Sequence, residues 1–154
     1  MSDTRLEELM DLIVERWRAI DATSPYLVDL TKSDDQVTIG EADPSIFPCV
    51  QLLLDIDGET SPGVSLQNTT EKVRIPFRAF VQAKQSNEDR RGRAALLLLS
   101  DLKRKLRDDP QLAGNCDFCW IPRYMVLSAG LERLPNAGVV QGFIEITYEL
   151  ERGM

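Results

Sequence analysis

Apolar residues recur at Leu6, Leu9, Met10, Ile13, Trp17 and Ile20, the spacing of one buried stripe on a helix. Arg5, Glu8, Asp11, Glu15 and Arg18 take the opposite face, so a helix is predicted over residues 4–21. Thr4 and Glu7 have the spacing of a capping box. Burying six large apolar side chains is worth about 10–15 kcal/mol before chain entropy is counted, so this helix must dock on something.

The pattern then changes period. Residues 22–36 are polar and broken by Pro25. Val37–Ile39 is a short strand candidate, followed by turn-rich residues through Pro44. Residues 48–57, PCVQLLLDID, read as a largely buried strand. Residues 58–71 hold no continuous apolar pattern and include Gly58, Pro62 and Gly63, so a long exposed loop is expected there. Residues 72–84 alternate: Val73, Ile75, Phe77, Ala79, Val81 and Ala83 face one side, and Arg74, Arg78, Gln82 and Lys84 the other. Pro76 donates no ladder hydrogen bond, which favours an edge position or a bulge.

A second helix is predicted over 87–107. Ser86 or Asn87 would cap it, and Glu88 and Asp89 would lie in its first turn. Its buried stripe is Ala94, Ala95, Leu98, Leu99, Leu102 and Leu106, and Pro110 stops it. Leu96–Leu99 cover more of the circumference than one stripe needs. A wide core face is the simpler account, and a contact with another subunit the alternative. Residues 123–129 form a strand, Pro135–Gly138 a turn, and 139–151 a last strand with Ile144, Ile146, Tyr148 and Leu150 on one face. The whole is a single α+β domain over 1–154: a mainly antiparallel or mixed sheet with two helices packed on one face.

Composition removes options. The 154 residues contain no histidine, which excludes Ser-His-Asp and Cys-His catalytic sets, His-bearing zinc sites and a histidine pH switch. The net charge of −7 argues against a general nucleic-acid binder. The longest apolar run, Ala94–Leu99, is six residues, so no membrane span is expected. Charges interrupt the first 17 residues, which reads against a signal or transit peptide and for a cytosolic chain with reduced thiols. Asn68-Thr69-Thr70 is a glycosylation sequon that a cytosolic chain would not use.

Three constellations invite chemistry. Cys116 and Cys119 form a C-x-x-C, but only Cys49 offers a further sulfur, and the pair sits in a loop before a strand rather than at a helix start. Plain loop and core cysteines are the default reading. Asp55 and Asp57 stand two apart on a predicted strand, so both carboxylates would point the same way, as a divalent metal needs. DIDGET does not continue as a calcium loop, and solvated acids beside a turn are common. Arg90, Arg91 and Arg93 cluster at the second helix's start without a glycine-rich phosphate loop, so an ion-paired face or a subunit contact is expected. No set suffices for catalysis. No cofactor is expected, and a structural or interaction protein is the reading.

The order of elements carries a resemblance. An amphipathic first helix precedes PCVQLLLDI; then come a long loop, KVRIPFRAFVQAK, the leucine-rich GRAALLLLSDLKRKL, a strand pair and FIEITYEL. This resembles the tail terminator proteins of long-tailed bacteriophages over nearly the full chain, with the phage neck and tail-completion proteins close beside them. The resemblance implies a homo-hexameric ring without enzymatic activity, assembled in the host cytoplasm and found in the virion at the tail end near the head. It would cap the tail tube protein's tube, end its polymerisation and present a surface to a head completion or neck protein. The alternatives are a head–tail connector, and a cytosolic metal or redox protein using Cys116 and Cys119.

In such a ring the 58–71 loop would meet a partner through Glu59, Val64, Leu66, Gln67 and Asn68. Arg90, Arg91 and Arg93 would contact the next subunit. Glu145, Glu149 and Glu151, on the polar face of the last strand, would line a lumen that surrounds passing DNA without binding it specifically.

Overall fold

The computed structural model describes residues 4–63, 67–82, 88–127 and 137–151. In chain order the elements are α1 (Thr4–Arg18), a 3₁₀ turn (Asp34–Gln36), β1 (Val37–Ile39), β2 (Cys49–Leu52), β3 (Asp57–Pro62), β4 (Asn68–Gln82), α2 (Glu88–Asp108), β5 (Phe118–Leu127) and β6 (Ala137–Glu151). Val64 and Leu66, the Ser86 or Asn87 cap, residues 128–136, and the side chains of Thr4, Glu88, Asp89 and Glu151 lie outside the described residues.

Six strands form one mixed sheet in the order β1-β2-β4-β6-β5, with β3 pairing β4 alongside β2. β1 and β2 run parallel; every other pair is antiparallel. Both helices pack on one face, which makes the domain α+β as its patterning predicts. Leu9, Ile13 and Trp17 of α1, Leu98 and Leu102 of α2, and Ile75, Phe77, Ile144 and Ile146 of the sheet join one buried core. The Trp17 ring meets Phe77 edge to face at 5.8 Å, and its Nε1 donates to the Leu102 carbonyl at 3.2 Å, so one side chain ties α1 to both the sheet and α2. Asp101, fully buried on α2, accepts from the amides of Leu27 and Val28 at 2.7 and 2.8 Å and holds the long connection after α1 against the helix layer.

Several boundaries differ from expectation, and β6 begins at Ala137 rather than 139, so Ala137 and Gly138 belong to the strand and not to a turn. Residues 58–71 are not a loop: β3 and the start of β4 form a hairpin paired from Asp57↔Arg74 to Pro62↔Thr69. All six β3 residues are exposed, so neither face is buried and no alternation marks the strand. The predicted strand 48–57 pairs only over Cys49–Leu52, because residues 53–56 carry the chain from β2 across to β3. α1 stops at Arg18, while the apolar pattern runs on because Ile20 stays in the core beyond the last helical turn. β5 begins at Phe118 rather than 123, which puts Cys119 on a strand.

Pro76 is also not at an edge. It lies mid-way along the central strand β4, opposite Phe143 of β6. Its carbonyl accepts from the Leu53 amide at 2.8 Å, on the side where the ladder changes from β2 to β3, and its missing N–H falls in that gap.

Candidate functional site: the open face of the sheet

With both helices on one side, the other face of the sheet is left to residues of the opposite parity. Across it run two rows of paired positions. One is Glu59, Lys72, Thr147 and Phe118; the next is Asp57, Arg74, Glu145 and Trp120. Glu145 sits between two cations, 3.7 Å from Lys72 Nζ and 3.5 Å from Arg74 Nε, with its side chain only 12% exposed. Arg74 also lies over the Phe143 ring at 5.5 Å.

The aromatic end of these rows is open to water. Phe118 and Trp120, on the edge strand β5, are 47% and 46% exposed and meet edge to face at 6.0 Å. Between them and the hairpin arm lies a groove of about 660 Å³, lined by Glu59, Lys72, Phe118, Trp120, Glu145 and Thr147 among others. An exposed aromatic pair beside a band of mixed charge, at a free strand edge, suits a protein surface better than a small metabolite. Further along the same face Cys49, Phe80 and Val139 form a small buried cluster with Phe47 and Leu127 around it.

The sequence candidates fall in different places. Glu59, Gln67 and Asn68 belong to the hairpin arm, Asn68 opening β4 opposite Glu151. Glu149 is exposed on the open face, opposite Thr70. Glu145 shares that face, but its charge is balanced within the chain. Arg90 and Arg93 are exposed on α2 and Arg91 is half-buried, all on the helix side. The two sets therefore occupy separate surfaces.

Asp55 and Asp57 are not neighbours on one strand. Asp55 lies in the 53–56 crossing, and Asp57 opens β3 opposite Arg74. The strand alternation that would have aimed both carboxylates the same way therefore does not apply to this pair. Among the described residues no group of three Cys, Asp or Glu is placed to hold a metal ion, and no helix is long and apolar enough to cross a membrane.

All three cysteines are buried free thiols. Burial pushes Cys49 and Cys116 up to about 11, with Asp117 and Asp109 adding to the Cys116 shift. Cys119, on β5 among core side chains, is pushed well above the usual thiol range by burial and then by Cys116. Cys116 Sγ donates to the Pro110 carbonyl at 3.6 Å. Redox and metal chemistry use the thiolate, which these surroundings disfavour.

Phe118 and Trp120 escape a sequence reading because C-D-F-C-W-I is apolar at too many positions to show which parity faces water. Only the pairing of β5 with β6 settles it. No protein-family model and no curated protein matches this sequence.

Proposed function

We propose that this chain is a structural subunit of a long-tailed bacteriophage virion, one of six in a ring that caps the tail tube, ends its polymerisation and presents the surface to which the head joins. The observation that carries the reading is the open sheet face. It combines a polar hairpin arm, a groove of about 660 Å³ and two exposed aromatics at a free strand edge. A subunit that stacks on a tube needs such a wide, partly apolar surface. The element order that resembles tail terminators supports it.

Charge agrees with a conduit. Six copies at −7 each would carry −42, so DNA passing through the ring would meet repulsion rather than a grip. Glu149, exposed on the open face, is the lumen acid whose charge no neighbour balances among the described residues.

Electron microscopy of the purified protein mixed with tail tubes tests the reading. Rings seated on tube ends, and overlong tails when the protein is missing, are the expected results. Tails of normal length without heads would instead assign it to head–tail joining as a connector. Tubes with bare ends and normal assembly in its absence would sink both.

A further inference from the structure

The helix layer carries two flanks of opposite charge. On α1 the exposed ridge is Glu7, Glu8, Asp11 and Glu15. Arg5 reaches Glu8 at 4.0 Å, while Glu7, Asp11 and Glu15 have no cation within ion-pair distance among the described residues. Beside the ridge is a groove of about 560 Å³ lined by Asp11, Val14, Glu15, Arg18, Ala19 and Ile39. Ile39 belongs to the edge strand β1 and is 41% exposed. Arg18 is already engaged, donating to the carbonyls of Val37 and Asp34.

α2 is the converse. It holds seven of the chain's 18 Lys and Arg. Its exposed stripe includes Leu96, Leu97, Ser100, Arg104 and Arg107, at the spacing of one helix face. Leu96 and Leu97 are 53% and 46% exposed, which is the surplus apolar surface that the core stripe does not need. Lys103, beside them, lies 4.8 Å over the ring of Tyr124 on β5, so this flank borders the sheet edge opposite to β1.

We infer that these flanks dock on each other between copies of this chain, the α2 flank of one subunit against the α1 flank of the next; the contact deepens the ring reading and rests on it. The leucines enter the apolar floor of Val14, Ala19 and Ile39, and Arg104 and Arg107 face Asp11 and Glu15. The two patches lie toward opposite edges of the sheet and are different surfaces. Their contact is head-to-tail, the kind that builds a ring when the rotation between copies closes. The occupant is a second copy rather than nucleic acid because the exposed leucines make one end of the stripe apolar, while phosphate contacts require charge or hydrogen bonds.

The test is a charge swap read by sedimentation at low and high salt. Arg104→Glu with Arg107→Glu reverses one flank, and Asp11→Arg with Glu15→Arg reverses the other. All four positions are at the surface, so circular dichroism and melting confirm that the variants stay folded. Each single-flank reversal is expected to raise the concentration needed for self-association by at least about tenfold. The variant carrying all four changes regains association, and Leu97→Ala weakens it without being rescued by salt.

Single-flank reversals that associate like the parent overturn the contact, as does a four-fold variant no better than its parents. A parent chain that stays monomeric at every concentration overturns it too. Loss of DNA retention by the α2 reversal with association unchanged would reassign that face to nucleic acid. Rings that form as expected but ignore tube ends keep the contact and sink the capping role, so the two readings fail separately.

Discussion

Gly138 on β6 lies directly against the backbone of Arg91 on α2: a methyl group added to it would overlap the Arg91 carbonyl oxygen and stand 3.1 Å from Cβ of Ala95. The absence of a side chain at this one position lets the helix settle on the last strand. Gly138→Ala is therefore expected to lift α2 and cost about 1–3 kcal/mol by overpacking, measured as a lower urea midpoint with unchanged slope.

Asp101 gives a second measurable dependence. Asp101→Ala leaves the Leu27 and Val28 amides, whose hydrogen bonds are half-buried, without their carboxylate acceptor, which is itself buried. The expected loss is about 1–3 kcal/mol, with a smaller loss for Asp101→Asn, whose amide oxygen still accepts. Equal losses in the two variants would mean that the side chain's fit, not its acceptor role, matters.

Glu145 and Glu149 should separate cleanly. Glu145→Lys places a third cation beside Lys72 and Arg74 and is expected to cost about 1 kcal/mol, more at low salt than at high. Glu149→Lys is expected to stay within about 0.5 kcal/mol of the parent. If the lumen reading holds, the Glu149 variant loses infectivity while keeping its stability; a Glu149 variant as infectious as the parent removes that residue from the lumen.

The thiols predict an alkaline weakness. Cys49 and Cys116 rise from an ordinary value of 9.0 to about 11 on folding, so between those values the folded chain holds protons that the unfolded chain has released. Stability is fully present below pH 9 and falls as pH climbs toward 11. Urea midpoints from pH 8 to 10.5 should fall, and Cys116→Ala should flatten the fall. At pH 8 all three thiols should resist a thiol reagent in the native protein and react once urea is added.

Legibility followed burial. α1, α2 and the inner faces of β4 and β6 are readable because one side of each is buried, as Ile144, Ile146 and Tyr148 show. β3 is not, since strands exposed on both faces leave no period. Pro76 misleads because the rule about edges concerns one side of a strand, and here the neighbour changes at that residue. The candidate surface was half legible. The polar parity of β6 marks the open face, but Phe118 and Trp120 stand out only once β5 is paired. Arg90, Arg91 and Arg93 lie near the start of α2, apart from the later Leu96–Arg107 stripe, and the acids of α1 carry no sequence signal beyond marking the wet side of that helix.

β4 and β6 are paired along their whole length, from Asn68↔Glu151 to Gln82↔Ala137, with α2 and β5 between them in the chain. Until residues 137–151 have been synthesised, β4 has no neighbour on that side. A nascent or shortened chain therefore offers a fifteen-residue strand edge to any other chain it meets. Such a long-range ladder also closes slowly compared with a helix or hairpin. The yield of usable subunits in a crowded cell would then depend on how soon the last strand follows the rest, a matter of timing rather than of final stability.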